Sequence, residues 1–317
     1  MTTTIDRVLR SNLKLKHLQL LIALDQFRHL GRTAEFLSVS QPAVSKSLAE
    51  IERMFDTALF ERSTKGTEPT SNGQTVIHFA RRVIAEYEKA RAALQTAQEG
   101  SAARVSVGAM VVATPVLLAQ AMVRFKQAMP AATVLVEEGD LTRLLPRLRM
   151  AELDFIVGRL EPGYAAPDLH TETLCQEPMC LICAPQHPLA TLKRVGWAQL
   201  QTERWVMPPP WAASRTKLHQ LFYKNRLNPP TDCVESASFL VTLIQVQTQG
   251  AVGFVARNVG LSLQAQGLAH VLPVALPMDL PPLGLIRLSS QALSPAAQRL
   301  ASAIREEAAA WPGPEKA

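Results

Sequence analysis

Along the first hundred residues the apolar positions recur at helical spacing. Leu15, Leu18, Leu21, Ile22 and Leu24 form one stripe over residues 15–28, which predicts an amphipathic helix ending before Gly31. Residues 32–37 read as a second, short helical segment that offers Ala34, Phe36 and Leu37 for packing. Ser38-Val39-Ser40 is a turn; Ser40 suits an N-cap, and Pro42 falls in the first turn of the next helix, where its missing N–H costs nothing. From Gln41 to Phe55 the pattern is clear. Val44, Leu48, Ile51 and Phe55 share one face, while Gln41, Ser45, Lys46, Ala49 and Glu52 fall away from it. Residues 59–62 then read as a short strand, 63–67 as a tight turn, and 68–70 as the way out. Three helices and then a hairpin predict a winged helix-turn-helix.

Ser71-Asn72-Gly73 opens a long helix that runs to about Gln98. Val76, Ala80, Val83, Tyr87, Ala90 and Leu94 are spaced as a heptad seam. Such a seam packs either on its own domain or on a second copy. With little globular chain nearby to cover it, the pattern favours the second copy. Residues 99–102 read as a linker. Beyond them strands near 104–108, 133–137, 153–158, 179–184, 204–207 and 251–255 alternate with helices near 114–129, 141–151, 213–226, 236–249 and 294–311. That alternation predicts parallel sheets with crossover helices, gathered into two α/β lobes.

Composition narrows the function classes. With 47% apolar and 19% charged residues, the 317-residue chain has an ordinary globular balance. It has no apolar run of membrane-spanning length and no leader-like apolar segment at its start, so a cytoplasmic protein is expected. A net charge of +6 suits a polyanionic partner, yet residues 1–70 hold ten Lys or Arg against eight Asp or Glu. Pattern therefore carries the DNA reading, and charge does not. Cys180 and Cys183 have redox-motif spacing, but they lie in an apolar run that suits buried structural thiols. Trp205 is read as core, with an alternative place on a ligand-facing wall. Gly-rich phosphate loops, GxSxG elbows and HExxH pairs are missing and the seven histidines are scattered, so neither an enzyme nor a cofactor or metal protein is expected.

The stretch from Thr33 to Leu48, TAEFLSVSQPAVSKSL, resembles the LysR-type transcriptional regulators very closely. Leu59-Phe60-Glu61-Arg62, Thr70-Ser71-Asn72-Gly73, LDFIVG at 153–158 and GAVGFV at 250–255 are similar to further segments of that family. Ala256-Arg257 departs from it, since many members carry a proline there. The resemblance implies an α+β multidomain chain. A winged helix-turn-helix is expected over 12–71, with its helix-turn-helix unit at about 30–49, and a dimerising linker helix and hinge over 72–101. A two-lobed effector domain like a type 2 periplasmic-binding protein is expected over 102–312. Lobe I takes about 102–174 and 256–312, and lobe II about 175–255. The implied partners are promoter operator DNA, a small-molecule effector, RNA polymerase and further copies of the chain, as a homodimer and then a homotetramer.

The same resemblance, joined to the helical pattern, points to particular site residues. A recognition helix presents its N-terminal residues to base edges, here Gln41, Pro42, Ser45 and Lys46. Arg32, Thr33 and Ser40 would flank phosphates, and Arg62, Thr64 and Lys65 would reach the backbone or minor groove from the wing. An effector would sit between the lobes near strand ends and helix N-termini. Ala113, Thr114, Asp140, Arg159, Met207, Pro208, Trp211, Ser236, Ser238 and Phe254 are the expected contributors. Arg159 is read as the partner of a carboxylate or sulfonate, with an ion pair to Asp140 as the alternative. The expected effector is a small organic anion, aromatic or sugar-like.

Overall fold

The computed structural model describes residues 13–63, 66–99, 103–210 and 212–311. The chain divides near residue 103 into two compact units. The first holds α1 (Leu15–Phe27), α2 (Leu30–Phe36), α3 (Gln41–Phe55), β1 (Phe60–Ser63), β2 (Gly66–Pro69) and α4 (Ser71–Glu99). The two strands form an antiparallel hairpin, from Phe60 opposite Pro69 to Ser63 opposite Gly66. The Ser40 hydroxyl accepts the Ala43 N–H at 3.3 Å to start α3, and Asp56 ends it in the left-handed conformation. Val44, Leu48 and Ile51 are buried with Leu21 and Leu24 of α1, as the spacing predicts. Each such side chain contributes roughly 1.5–3 kcal/mol by leaving water.

The seam on α4 is only partly what its spacing suggests. Val76 and Ala80 are buried within the chain, and α1 packs along the first turns of α4, with Val76 and Ile77 joining Leu20, Leu21 and Leu24 in the core. The expectation that the whole seam faces a second copy is therefore corrected. The N-terminal half of the stripe has a partner in its own domain. Beyond it Tyr87 and Ala90 are exposed and Val83 is half-buried, with exposed Phe79 bordering them. The Leu94 side chain lies outside the described residues.

The second unit begins with β3 (Arg104–Ala109), a π-helical turn (Thr114–Leu118) that runs into α5 (Ala119–Ala128), β4 (Thr133–Glu138), α6 (Leu141–Arg149), β5 (Phe155–Arg159) and β6 (Leu169–Cys175). It continues through β7 (Met179–Cys183), α7 (Trp197–Gln201), β8 (Trp205–Met207), α8 (Ala213–Lys224), β9 (Cys233–Glu235), α9 (Phe239–Gln249), β10 (Val252–Ala256), α10 (Arg257–Ala265) and β11 (His270–Val271). The described elements close with β12 (Leu283–Leu288) and α11 (Pro295–Ala310). Two five-stranded sheets result, in the orders β4-β3-β5-β12-β6 and β11-β7-β10-β8-β9.

Each sheet is mixed, which corrects the expectation of parallel sheets. β3 runs parallel to β4 and β5, but β12 is antiparallel to β5 and β6. In the second sheet β8 is parallel to β9 and β10, whereas β7 is antiparallel to β10 and β11. The return to the first lobe is also later than residue 256. β11 pairs with β7 and α10 packs against both, so the chain rejoins the first sheet only at β12. Among the described residues no helix is long and apolar enough to cross a membrane.

Candidate functional site

The N-terminal turn of α3 presents Gln41, Pro42 and Lys46 to solvent, with Ser45 half-buried beside them and Arg32 exposed on α2. Ser40 is exposed, with its hydroxyl engaged as the helix cap. Thr33 is 0% exposed and donates its hydroxyl to the His29 carbonyl at 2.9 Å. It packs on the core side of α2 beside Ala34, so the expected phosphate contact is corrected. Thr64 and Lys65, and the side chain of Arg62, lie outside the described residues.

Three supports of this surface are not legible as such in the sequence. The His29 Nδ1 accepts the Gly31 and Arg32 N–H groups at 3.1 and 3.4 Å, capping α2 in the way a serine would. Glu52 turns its carboxylate to the Leu59 and Phe60 N–H groups at 2.8 and 3.2 Å, tying α3 to the start of the β1–β2 hairpin. Asp25 takes Arg28 and Arg81 at 2.8 Å each, joining α1 to α4. Only Glu52 gave a signal: a polar residue off the apolar stripe of an otherwise legible helix.

Ligands of open α/β sheets bind outside the C-terminal ends of the parallel strands, so the residues that follow those ends in the second unit are the ones that bear on an effector. Asp140 comes after β4 and caps α6, accepting from the Thr142 hydroxyl and from the Arg143 N–H at 3.1 Å. The Thr142 bond holds its carboxyl below the usual range, so it is a firm negative charge. Thr114 donates its hydroxyl to the Met110 carbonyl at 3.1 Å and is half-buried. Pro208 and Ser236 are half-buried and Ser238 is exposed. The Ser236 hydroxyl accepts the Ser238 N–H at 3.0 Å, and Ser238 caps α9. Trp211 lies outside the described residues.

Four expected contributors are placed elsewhere. Ala113 is fully buried and its N–H is donated to the Met110 carbonyl at 2.8 Å, so it offers a ligand nothing. Met207 and Phe254 are buried in the hydrophobic core of the second lobe, on strand faces that the alternation of the sheet turns inward. Arg159 is 7% exposed and spends its guanidinium on two backbone carbonyls, Pro281 and Glu177, at 2.7 Å each. Neither the effector-partner role nor the pair with Asp140 describes it. Burial lowers its pKa, opposed by nearby Glu177 and Glu161.

A cation that the sequence pattern did not single out stands at the rim of the second lobe. Arg215, in the first turn of α8, donates to the Pro208 carbonyl at 2.7 Å, to Glu235 at 2.8 Å and to His219 Nε2 at 2.6 Å. It thereby ties the ends of β8 and β9 together. Burial, and then Arg215, lower the His219 pKa and favour the neutral ring that accepts this bond. Trp205 is core, its indole N–H donated to the Leu200 carbonyl at 2.7 Å.

The four cysteines are free thiols. Cys180 packs on one face of the second sheet, towards Val259 and Leu263, and Cys183 on the other, towards Trp205 and Phe222. An odd offset along β7 puts them on opposite faces, where no bridge can form between them. Burial pushes both thiols up to about 12. No group of His, Cys, Asp and Glu among the described residues has metal-holding geometry.

Comparisons with known proteins cover both units. Residues 15–74 match the bacterial regulatory helix-turn-helix protein, lysR family, and residues 98–309 match the LysR substrate binding domain. The HTH-type transcriptional regulator GbpR of Azospirillum brasilense is 31% identical over 94% of this chain and 87% of its own. The HTH-type transcriptional regulator GalR of Pseudomonas putida is 32% identical over 92% of this chain and 73% of its own. The crystal structure of full-length CbnR with its target DNA superposes at a TM-score of 0.68, at 18% identity, over 93% of this chain and 100% of that one.

Proposed function

The chain belongs to the LysR family of DNA-binding transcriptional regulators, which are not enzymes, and on that premise we propose how it reads DNA and what switches it. The observation that carries the reading is the exposed face of Gln41, Pro42 and Lys46, backed by the buried stripe of Val44, Leu48 and Ile51. Gln pairs bidentately with adenine, Lys donates to guanine O6 and N7, and the proline ring meets a thymine methyl. Arg32, with Arg62 and the wing, holds the phosphates. Footprinting of the full chain on sites selected from genomic DNA, with random competitor present, tests this. Protection that random DNA removes as readily as the selected site would leave only a nonspecific architectural role.

One helix-turn-helix buries too little surface for operator affinity, so the functional unit is a dimer. The stripe of Val83, Tyr87 and Ala90, bordered by Phe79, is the seam. Exposed Val123, Leu240 and Ile244 on the effector domain are the surface a further copy covers in a homotetramer. The promoter-bound assembly acts on RNA polymerase. Tyr87→Glu is expected to give folded monomers by sedimentation, and Leu240→Glu to leave dimers. Unchanged mass in both variants would overturn the two interfaces.

The effector enters between the lobes and shifts the population of assembly geometries. Asp140, Thr114, Ser236 and Ser238 are the polar groups on offer, whereas Arg159 is already committed to backbone carbonyls. That set suits hydroxyl groups better than a bare carboxylate, so the sugar-like end of the expected range is favoured. A thermal-shift panel of aldoses, aldonic acids and aromatic carboxylates on the full chain decides. Hits among polyhydroxylated compounds that vanish in Asp140→Asn are expected. Aromatic carboxylates that stabilise the variant and the parent alike would reverse the preference.

A further inference from the structure

The chain passes between the lobes twice, through residues 176–178 and through residues 272–282. Any change in the angle between the lobes must be taken up by these two segments. Arg159, the last residue of β5 in the first lobe, donates to a carbonyl in each: Glu177 at 2.7 Å and Pro281 at 2.7 Å. Its neighbour Leu160 donates its N–H to the Pro282 carbonyl at 2.9 Å. From the second lobe, α10 grips the first crossover. The Glu177 carboxylate, 1% exposed, accepts the Asn258 N–H at 2.9 Å and its side-chain amide at 2.6 Å, while Arg257 N–H reaches the Pro178 carbonyl at 2.8 Å.

We infer that Arg159 is the positioning residue of the interlobe hinge: one guanidinium from the first lobe clamps both crossovers and sets the angle at which the lobes face each other. The planar fork suits this task, because two N–H groups on one rigid plane fix the separation of the two carbonyls they meet. A lysine at the same position carries the charge but has no such fork. The inference builds on the proposed effector response, since the angle Arg159 sets is the one an effector between the lobes works against. It stands without knowledge of the effector.

The test uses the full chain with spin labels carried by unnatural amino acids at Gln127 in the first lobe and Lys224 in the second, diluted with unlabelled protein. Both positions are exposed. Arg159→Lys is expected to broaden the interlobe distance distribution, with faster hydrogen exchange at Leu160 and Arg257 and retained protection in β3 and β10. Glu177→Gln keeps the backbone acceptor of Arg159 and is expected to leave the Leu160 amide as it was. An unchanged distance distribution in Arg159→Lys overturns the inference. So does protection lost evenly across both sheets, because Arg159 then holds the whole domain and not its hinge. Failure of the effector panel with a broadened distribution would refute the effector reading alone.

Discussion

Arg215 and Glu235, twenty residues apart, meet at 2.8 Å where β8 and β9 end at the rim of the second lobe. The same guanidinium holds the Pro208 carbonyl and the neutral His219 ring, so one side chain organises that edge of the lobe. Removing it leaves the Pro208 carbonyl without this donor, whereas Glu235 is open to water. Arg215→Met should destabilise the second unit by about 1–3 kcal/mol, as the loss of charge-assisted bonds to a largely buried group does. Glu235→Gln should cost less than about 1 kcal/mol, because its side of the pair is solvent-screened. Urea titrations that track Trp fluorescence check both, and equal losses would contradict the asymmetry.

Two histidines contribute a share of the pH response whose sign is fixed, opposed by Glu161 and Glu177, whose carboxyls burial raises. His17 is lowered from 6.5 by burial, and His219 from 6.5 by burial and then by Arg215. A base whose folded pKa is depressed binds fewer protons folded than unfolded across that window. Their share of the stability therefore falls as pH drops through 6.5 and stops falling below the depressed values. Thermal melts between pH 8 and 5 should show the His219 share as the difference between the parent and His219→Gln, the parent losing more on acidification. A parent that loses less on acidification than His219→Gln would contradict the sign.

At the recognition helix, Lys46→Ala should weaken binding to the selected operator more than binding to random DNA at fixed salt. A base contact is worth about 1–3 kcal/mol of discrimination, whereas a phosphate contact is lost equally on any sequence. Competition titrations at two salt concentrations distinguish the outcomes.

Gly73 is the tightest backbone approach in the DNA-binding unit. A Cβ built there would lie 1.9 Å from the Leu59 carbonyl oxygen, which the Thr70 N–H also meets at 2.9 Å. Gly73→Ala must push the linker helix off the wing and should cost at least about 2 kcal/mol. Gly163→Ala is the control, since nothing lies within 4 Å of its added Cβ. Equal melting temperatures for the two variants would sink the argument.

The thiols of Cys180 and Cys183, pushed up to about 12, should react with a thiol reagent only after unfolding. Labelling that is faster in native protein than in urea would reopen a redox role. Cys180→Ser with Cys183→Ser should leave DNA binding insensitive to oxidant, like the parent.

The first unit was legible in sequence because its signals are local. Periodicity placed Val44, Leu48 and Ile51 on one face, a side-chain cap placed Ser40, and those same constraints put Gln41, Pro42 and Lys46 on the other face. The α/β alternation beyond residue 103 was legible for the same reason. Strand direction was not, because β12 joins β5 and β6 from more than a hundred residues away and no local pattern encodes that pairing. Nor was burial at the cleft. Ala113, Met207 and Phe254 sit at the predicted places along the chain, yet sheet alternation and packing turn them inward. Val76 and Ala80 show the same limit. Their spacing specifies a packed stripe, but only the fold decides that α1 packs against its first half and leaves Tyr87 exposed.

Arg159 and Arg215 mark the boundary most clearly. The order of residues places one arginine directly after the strand FIVG and another shortly after the proline triplet. Which carbonyls and carboxylates they hold is settled in three dimensions, because their acceptors are brought in by chain segments that come together only when both sheets have formed. Local spacing fixes faces and caps through short-range sterics. The pairing of buried charge depends on distant backbone, and that is a property of the completed fold.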